Sequence, residues 1–325
     1  MTYASHTLLE AVNNYLASHP VTRTPKSLYE PIDYVLSLGG KRIRPVLMLL
    51  AYNLYKDDPL NILSPAIALE TYHNYTLLHD DLMDNADVRR SHPTVHRRWN
   101  ANTAILSGDS MLVLAYQRMM ECAPQHRNEV LELFTETALQ IGEGQQYDMD
   151  FEQRHDVSED EYIEMIRLKT SVLLACAVKI GAILADAPAD DAATLYCFGE
   201  QLGLAFQLQD DFLDVYGDPA VFGKNIGGDI LSNKKTYMLI NAMQKADSEQ
   251  RKELMYWLEQ PATKGIRKIE AVTHLYNIIG IRDMAEQKIN HYFDMAKITL
   301  SALPLPVERT QILNEYINDM LHRKS

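Results

Sequence analysis

Along most of the chain apolar residues recur at i, i+3, i+4 and i+7, the spacing that lays one face of an α-helix against a core. Runs that alternate apolar with polar residues, as a half-buried strand would, are nearly absent. The pattern predicts helices over residues 7–18, 28–38, 44–55, 65–85, 103–121, 128–151, 159–185, 190–216, 234–245, 249–259, 266–278, 282–301 and 307–322. Several ends carry the matching chemistry. Ser64 precedes Pro65, Ser158 is followed three residues later by Glu161 as in a capping box, and Gly39 and Gly40 stand where the second helix should stop. No low-complexity linker or fixed-period repeat divides the chain. The expectation is an all-α protein, residues 1–325 forming one domain with a buried central bundle.

Composition narrows the function classes. Apolar residues make up 46 % and charged residues 23 %, the proportions of a folded globular chain. The formal net charge of −13 argues against broad binding to nucleic acid or to an anionic membrane. Any anion the protein takes must therefore meet a local basic cluster or a metal ion. Cys122, Cys176 and Cys197 are spaced for neither a disulfide framework nor a zinc site, which points to a reducing, cytoplasmic setting. The first residues lack a signal peptide's apolar core. The longest apolar stretch, 171–187, is interrupted by Lys179 and falls short of the roughly 18 residues a spanning helix needs. No transmembrane segment is expected.

Against this background two acidic stretches stand out. Asp80, Asp81 and Asp84 form DDxxD, and Asp210, Asp211 and Asp214 repeat it 130 positions later (210 − 80). On a helix i and i+4 share a face and i+1 lies about 100° round, so each set offers two or three carboxylates to one spot. Their neighbours are largely apolar: Leu77, Leu78 and Leu82 in the first, Phe206, Leu208, Phe212 and Leu213 in the second. A single DDxxD is ordinarily solvated helix-surface charge. Two copies on apolar helices call for counter-charge, and oxygen-only ligands with an incomplete shell suit Mg²⁺ shared with phosphate oxygens.

Cations accompany both. "SLGGKRIRP" supplies Lys41, Arg42 and Arg44 at a glycine-rich turn that opens a helix, and Arg89 and Arg90 follow the first acidic set. "RLKTS" places Lys169 and Thr170 inside an apolar helix, and "GKNIGGDILSNKKT" brings Lys224, Asp229, Lys234 and Lys235 beyond the second set. Taken singly, each basic group reads as a surface charge or an ion-pair partner; together they fit two poly-anionic substrates. His92 and His96 have an i, i+4 spacing, but Pro93 between them speaks against a zinc helix. His73 lies one heptad before Asp80 and could face the same space or be a satisfied core histidine. No nucleophile elbow, P-loop or dinucleotide fingerprint is present.

GGKRIRP, HDDLMDNADVRR with PTVH, the KT pair, QLQDDFLD and GKNIGGDILSNKKT occur here in the order and spacing of the trans-isoprenyl diphosphate synthases (polyprenyl synthetases). The chain resembles that family, in its short-chain geranylgeranyl and farnesyl type, from about residue 30 to residue 245. The resemblance implies an all-α bundle of the isoprenoid synthase type around a deep central cavity, usually a homodimer. It also implies head-to-tail transfer of a C5–C15 allylic diphosphate onto isopentenyl diphosphate. Asp80, Asp81, Asp84, Asp210 and Asp214, helped by Asp211, would hold Mg²⁺, three ions per site once substrate is bound. Arg89, Lys169, Thr170, Gln207, Lys224 and Lys234 would contact the allylic diphosphate, with Lys169 and Lys224 counted among the catalytic groups. Lys41, Arg44, His73 and Arg90 would hold isopentenyl diphosphate. Two departures are visible: Ser91 and His92 stand where many relatives have Gly-Lys, and the first motif has no two-residue insertion between its aspartates.

Members of the family measure their product with side chains upstream of the first DDxxD. Tyr75, five residues before Asp80, lies about 7.5 Å along the helix from it. Tyr75 is expected to floor the cavity and Tyr72 to seal it further, giving a C15–C20 product with C20 ahead. The alternative for both tyrosines is ordinary core packing. Competing functions are a longer-chain synthase, a class I terpene cyclase and a non-catalytic subunit. The last two sit poorly with an intact second DDxxD and with Lys41, Arg44 and Arg90.

Overall fold

The computed structural model describes residues 3–218 and 226–321. Sixteen α-helices occur among them, and the only strands are a two-residue pair. The first ten are α1 (Ser5–Ser18), α2 (Lys26–Ser37), α3 (Ile43–Asn53), α4 (Leu63–Met83), α5 (Val95–Arg98), α6 (Ala101–Met119), α7 (Arg127–Glu152), α8 (Glu159–Ile166), α9 (Val172–Leu184) and α10 (Ala189–Tyr216). After them come α11 (Gly228–Ser232), α12 (Tyr237–Lys245), α13 (Ser248–Glu259), α14 (Gly265–Ile279), α15 (Ile281–Ser301) and α16 (Val307–Leu321). Each of the predicted helices is present, so the all-α class holds. No described helix is long and apolar enough to cross a membrane.

The chain divides into two compact units. The first takes Met1–Glu136, Cys176–Tyr196 and Ser301–Tyr316, the second Thr137–Ala175, Cys197–Leu300 and Ile317–Ser325. In the first, α4 packs along α6, and the first residues of α4 are buried all round, from Pro65 to Tyr72. Such a helix belongs to a core rather than to a surface. Gly108 on α6 lets the two approach, since a Cβ there would fall 2.2 Å from the His79 ring. In the second, Gly144 on α7 plays the same part: its Cβ would sit 2.3 Å from the Lys169 backbone nitrogen.

Local chemistry sets most of the ends. Ser158 caps α8 as expected, accepting from the Glu161 N–H at 3.2 Å while Glu161 accepts from the Ser158 N–H at 2.9 Å. Gly39, with φ of 77°, terminates α2. Ser64 is not a cap: α4 begins one residue earlier, out of the 3₁₀ turn Pro59–Ile62, and the Ser64 hydroxyl donates to Glu121 at 2.5 Å. The predicted helix 159–185 is not continuous. Arg167–Ser171 form a π turn between α8 and α9, an inserted residue that leaves the apolar run unbroken. The stretch predicted from 234 begins as helix only at Tyr237, because the Thr236 side chain caps α12.

Candidate active site

The first DDxxD ends α4. Asp80 and Asp81 lie in its last turn and Asp84 is its C-cap. Asp84 is exposed and Asp80 about one-fifth exposed, whereas Asp81 is buried. The Arg89 Nε donates to both Asp81 oxygens, at 2.7 and 2.8 Å, and its Nη2 lies 3.9 Å from Asp80. Burial pushes the Asp81 carboxyl up to about 6, with Arg89 opposing and Asp80 and Asp84 adding to the rise.

Arg89 is placed by a hairpin that sequence periodicity did not reveal. Strands Val88–Arg89 and His92–Pro93 pair antiparallel across Arg90 and Ser91, both left-handed at φ of 51° and 63°. That is the twist a two-residue hairpin needs, adopted without glycine. It sends Arg90 back to the GGKR turn. Its guanidinium donates to the Gly39 carbonyl, and its Nη1 lies 3.5 Å from Asn74 Oδ1. Gly40 makes the room, since a Cβ there would fall 2.8 Å from that guanidinium.

On the same turn Arg44 Nη1 donates to His73 Nε2 at 3.1 Å, which assigns the ring proton to Nδ1. Burial, then Arg44, Arg90, Arg89 and Arg42, hold the His73 pKa well below its ordinary value, so the ring is neutral near pH 7. Lys41, on the same turn, is exposed. Arg44 and Arg90 thus stand close enough for both to act on the His73 ring, in a region crowded with positive charge. Arg42 has a different job: it is buried and paired with Glu70.

The second DDxxD lies near the end of α10. Asp210 and Asp214 are part-exposed and Asp211 is buried. Asp211 Oδ1 accepts from Gln207 Nε2 at 2.8 Å and its Oδ2 from the Tyr162 hydroxyl. Gln207 Oε1 in turn accepts from the Thr170 hydroxyl at 2.9 Å. Burial raises the Asp211 carboxyl to about 6, opposed by Lys234, Tyr162 and Gln207. Both DDxxD motifs therefore share one design, with a buried middle aspartate fastened by donors beneath a more open outer pair.

Lys169, presented by the π turn, donates to Asp148 at 2.6 Å, and the Lys234 ammonium lies 3.6 Å from the same oxygen. Burial alone would raise the Asp148 carboxyl, but Lys234 and Lys169 overcome it and hold it below the ordinary range. The Asp229 N–H donates to Asp214 Oδ2 at 3.0 Å. Burial, reinforced by Asp211 and Asp214, lifts the Asp229 carboxyl to about 8. Asp148, Tyr162 and, as an acid in the cluster, Asp229 were not singled out from the sequence. Only the close approach at Gly144 hints at Asp148, which lies one helical turn further along α7. Lys224, predicted to bind diphosphate, lies outside the described residues.

Among the described residues no three His, Cys, Asp or Glu side chains form a ready-made metal cage. The all-oxygen donor set and the raised Asp81 and Asp211 carboxyls still fit a hard cation that completes its shell with water or phosphate. His92 is exposed on its strand, and the His96 ring is 3.3 Å from the Thr94 hydroxyl.

Upstream, Tyr75 lies between Tyr72, at 5.4 Å between ring centres, and His79, at 4.9 Å. Tyr72 is 2 % exposed and meets Phe134 edge-on at 5.2 Å. The two tyrosines predicted to limit the product thus belong to one packed aromatic cluster, with Phe134 as a further member.

Residues 25–278 match the polyprenyl synthetase family model. The short chain isoprenyl diphosphate synthase of Methanocaldococcus jannaschii is 40 % identical over 246 residues, 75 % of each chain. The geranylgeranyl diphosphate synthase of Methanosarcina mazei is 37 % identical over 296 residues, 90 % of this chain and 89 % of its own. A crystal structure of a geranylgeranyl pyrophosphate synthase superposes with a TM-score of 0.94 at 39 % identity, covering 99 % of this chain and all of the other. The chain belongs to the polyprenyl synthetase family and is a trans-prenyltransferase of the short-chain isoprenyl diphosphate synthase kind.

Proposed function

We propose that the protein condenses isopentenyl diphosphate head-to-tail with a C5–C15 allylic diphosphate to give an all-trans C15–C20 product, geranylgeranyl ahead of farnesyl. It acts as one isoprenyl diphosphate synthase domain. The observation that carries this reading is the design common to both DDxxD motifs, a buried, fastened middle aspartate under an outer pair, each with cations at hand. The names of the relatives support the product class: geranylgeranyl diphosphate synthases recur among them.

Asp80, Asp81, Asp84, Asp210 and Asp214 would hold Mg²⁺, three ions with substrate bound, which would draw charge from the departing diphosphate. Lys169 and Lys234, steadied by Asp148, place ammonium groups for that leaving group, and Arg89, Thr170 and Gln207 add donors to it. As the allylic C–O bond breaks, its electron pair leaves with the diphosphate. The isopentenyl double bond supplies the electrons of the new C–C bond, and a proton is then lost to the departing diphosphate. Lys41, Arg44 and Arg90 hold the isopentenyl diphosphate, with neutral His73 accepting from Arg44. The Tyr72, Tyr75 and Phe134 wall keeps water from the cation.

A cytoplasmic setting agrees with three cysteines that form no disulfide. A homodimer agrees with Leu106 and Val113, one heptad apart on α6 and 59 % and 67 % exposed. A C25 product is the second reading, favoured by the geranylfarnesyl diphosphate synthase of Natronomonas pharaonis at 38 % identity over 72 % of this chain.

Labelled isopentenyl diphosphate, incubated with C5, C10 and C15 starters with and without Mg²⁺, tests the proposal by product chromatography. Metal-dependent C15–C20 diphosphates are expected. Hydrocarbon from the allylic diphosphate alone would instead identify a cyclase. Asp80→Ala and Asp210→Ala should each lower turnover by orders of magnitude.

A further inference from the structure

The second unit contains a lysine that this chemistry does not use. Lys268, on α14, is 0 % exposed, and its ammonium donates to three oxygens. These are Asn233 Oδ1 at 2.7 Å, the Gln260 carbonyl at 3.2 Å and the Leu231 carbonyl at 3.4 Å. An ammonium has three N–H donors, and these acceptors use them all. None is a carboxylate. A buried cation without counter-charge is costly, and here burial draws the lysine pKa below its ordinary value. An aliphatic side chain would fill the same space without that cost, so the place of the three oxygens is informative.

Two of them belong to the end of α11. The Leu231 carbonyl is in its last turn, where no helical N–H can reach it. Asn233 is its left-handed cap, with φ of 56°, and the Asn233 Nδ2 donates onward to the Leu258 carbonyl at 2.9 Å. A helix of five residues cannot hold itself by its own hydrogen bonds. Its first turn carries Asp229, bonded to Asp214, and the residue after the cap is Lys234, which shares Asp148 with Lys169. Gly227, at φ of 85°, opens the segment against the same helix, since a Cβ there would fall 2.7 Å from the Ile269 side chain.

We propose that Lys268 is a positioning residue for prenyl transfer, fixing residues 227–234 through Leu231 and Asn233 and so setting where Asp229 and Lys234 stand. This rests on the reading above, in which Lys234 meets the allylic diphosphate. Lys268 itself touches neither substrate.

Two variants test it. Lys268→Met keeps the length and packing of the side chain, and Asn233→Ala removes the nearest acceptor while leaving Lys268 in place. Both are expected to keep the helical circular dichroism. Both should raise the allylic KM and lower kcat by about tenfold, with the isopentenyl KM within about twofold of the parent. Amide hydrogen exchange should quicken over residues 229–236 and not in α4. An equal rise in both KM values, or a lowered Tm with unchanged kinetics, would overturn the proposal. Should Lys268→Met fail to fold, Asn233→Ala decides by the same criteria. A parent chain that makes no prenyl diphosphate would sink the functional reading instead, and the exchange of residues 229–236 with inorganic diphosphate present would still judge the positioning role.

Discussion

Arg42 and Glu70 form an ion pair closed off from water: Nη1 lies 2.6 Å from Oε1, and both side chains are 2 % exposed. Arg42 also donates to the Leu36 carbonyl at 2.7 Å, and Glu70 also accepts from Asn74 Nδ2 at 2.8 Å. Asn74 in turn faces Arg90 at 3.5 Å. The pair therefore bolts the GGKR turn to α4 and continues into the proposed isopentenyl diphosphate site. Removing one partner strands a buried charge. Glu70→Ala should lower the unfolding free energy by about 3–5 kcal/mol in urea titration and raise the isopentenyl KM. The double variant Arg42→Met with Glu70→Leu should recover much of the stability but not the KM. Recovery of both would mean that the pair does not position Arg90.

The helices were legible because their 3.6-residue period runs for many turns, and the DDxxD motifs because i, i+4 spacing is local. The π turn at Arg167–Ser171 was hidden, since an inserted residue inside an apolar run leaves nothing for periodicity to register. The hairpin at 88–93 was hidden for another reason. Its turn positions call for glycine or asparagine, yet Arg90 and Ser91 occupy them. Asp148 carries no local mark at all: its value comes from Lys169, 21 residues away, and from Lys234, still further along the chain. Contacts of that kind are made by tertiary packing, and a single sequence does not display them.

His73 should make the protein acid-sensitive. Its folded pKa lies well below 6.5, through burial first and then Arg44, Arg90, Arg89 and Arg42, so the unfolded chain binds the proton first as pH falls. The stability it contributes is complete above pH 6.5. It drains as pH drops toward the folded pKa, by at most about 1.4 kcal/mol per pH unit. Asp81 and Asp211 run the other way: raised from 3.8 to about 6, they favour the folded state at low pH and lose that contribution as pH rises through 6. His73→Gln keeps an acceptor for Arg44 but does not titrate. Between pH 7 and pH 5 the parent's urea midpoint should lose ground against that of His73→Gln. A constant difference between the two would show that the folded ring takes up the proton after all.

Asp148 holds two ammonium groups at one carboxylate oxygen. Asp148→Asn keeps the shape and removes the charge, so Lys169 and Lys234 should repel one another and move apart. The allylic kcat/KM should then drop by about tenfold, with the isopentenyl KM unchanged. A rise in the allylic kcat/KM would mean that Asp148 competes with the substrate for the lysines rather than placing them.

Tyr75 is the side chain to alter for product length. It is only part-buried and lies between Tyr72 and His79, whereas Tyr72 is packed into the core against Phe134. Tyr72→Ala would remove a buried ring at a cost of about 3–5 kcal/mol and confuse length with stability. Tyr75→Ala opens space at the surface of the wall and leaves the rings of Tyr72 and Phe134, 5.2 Å apart, closed behind it. The product should therefore lengthen by about one C5 unit rather than without limit, since a fully buried aromatic pair stays packed. Tyr75→Phe, which keeps the ring, should leave the length unchanged. Chromatography of dephosphorylated products from the two variants measures this. An unaltered chain length from Tyr75→Ala would show that the floor lies elsewhere along the wall.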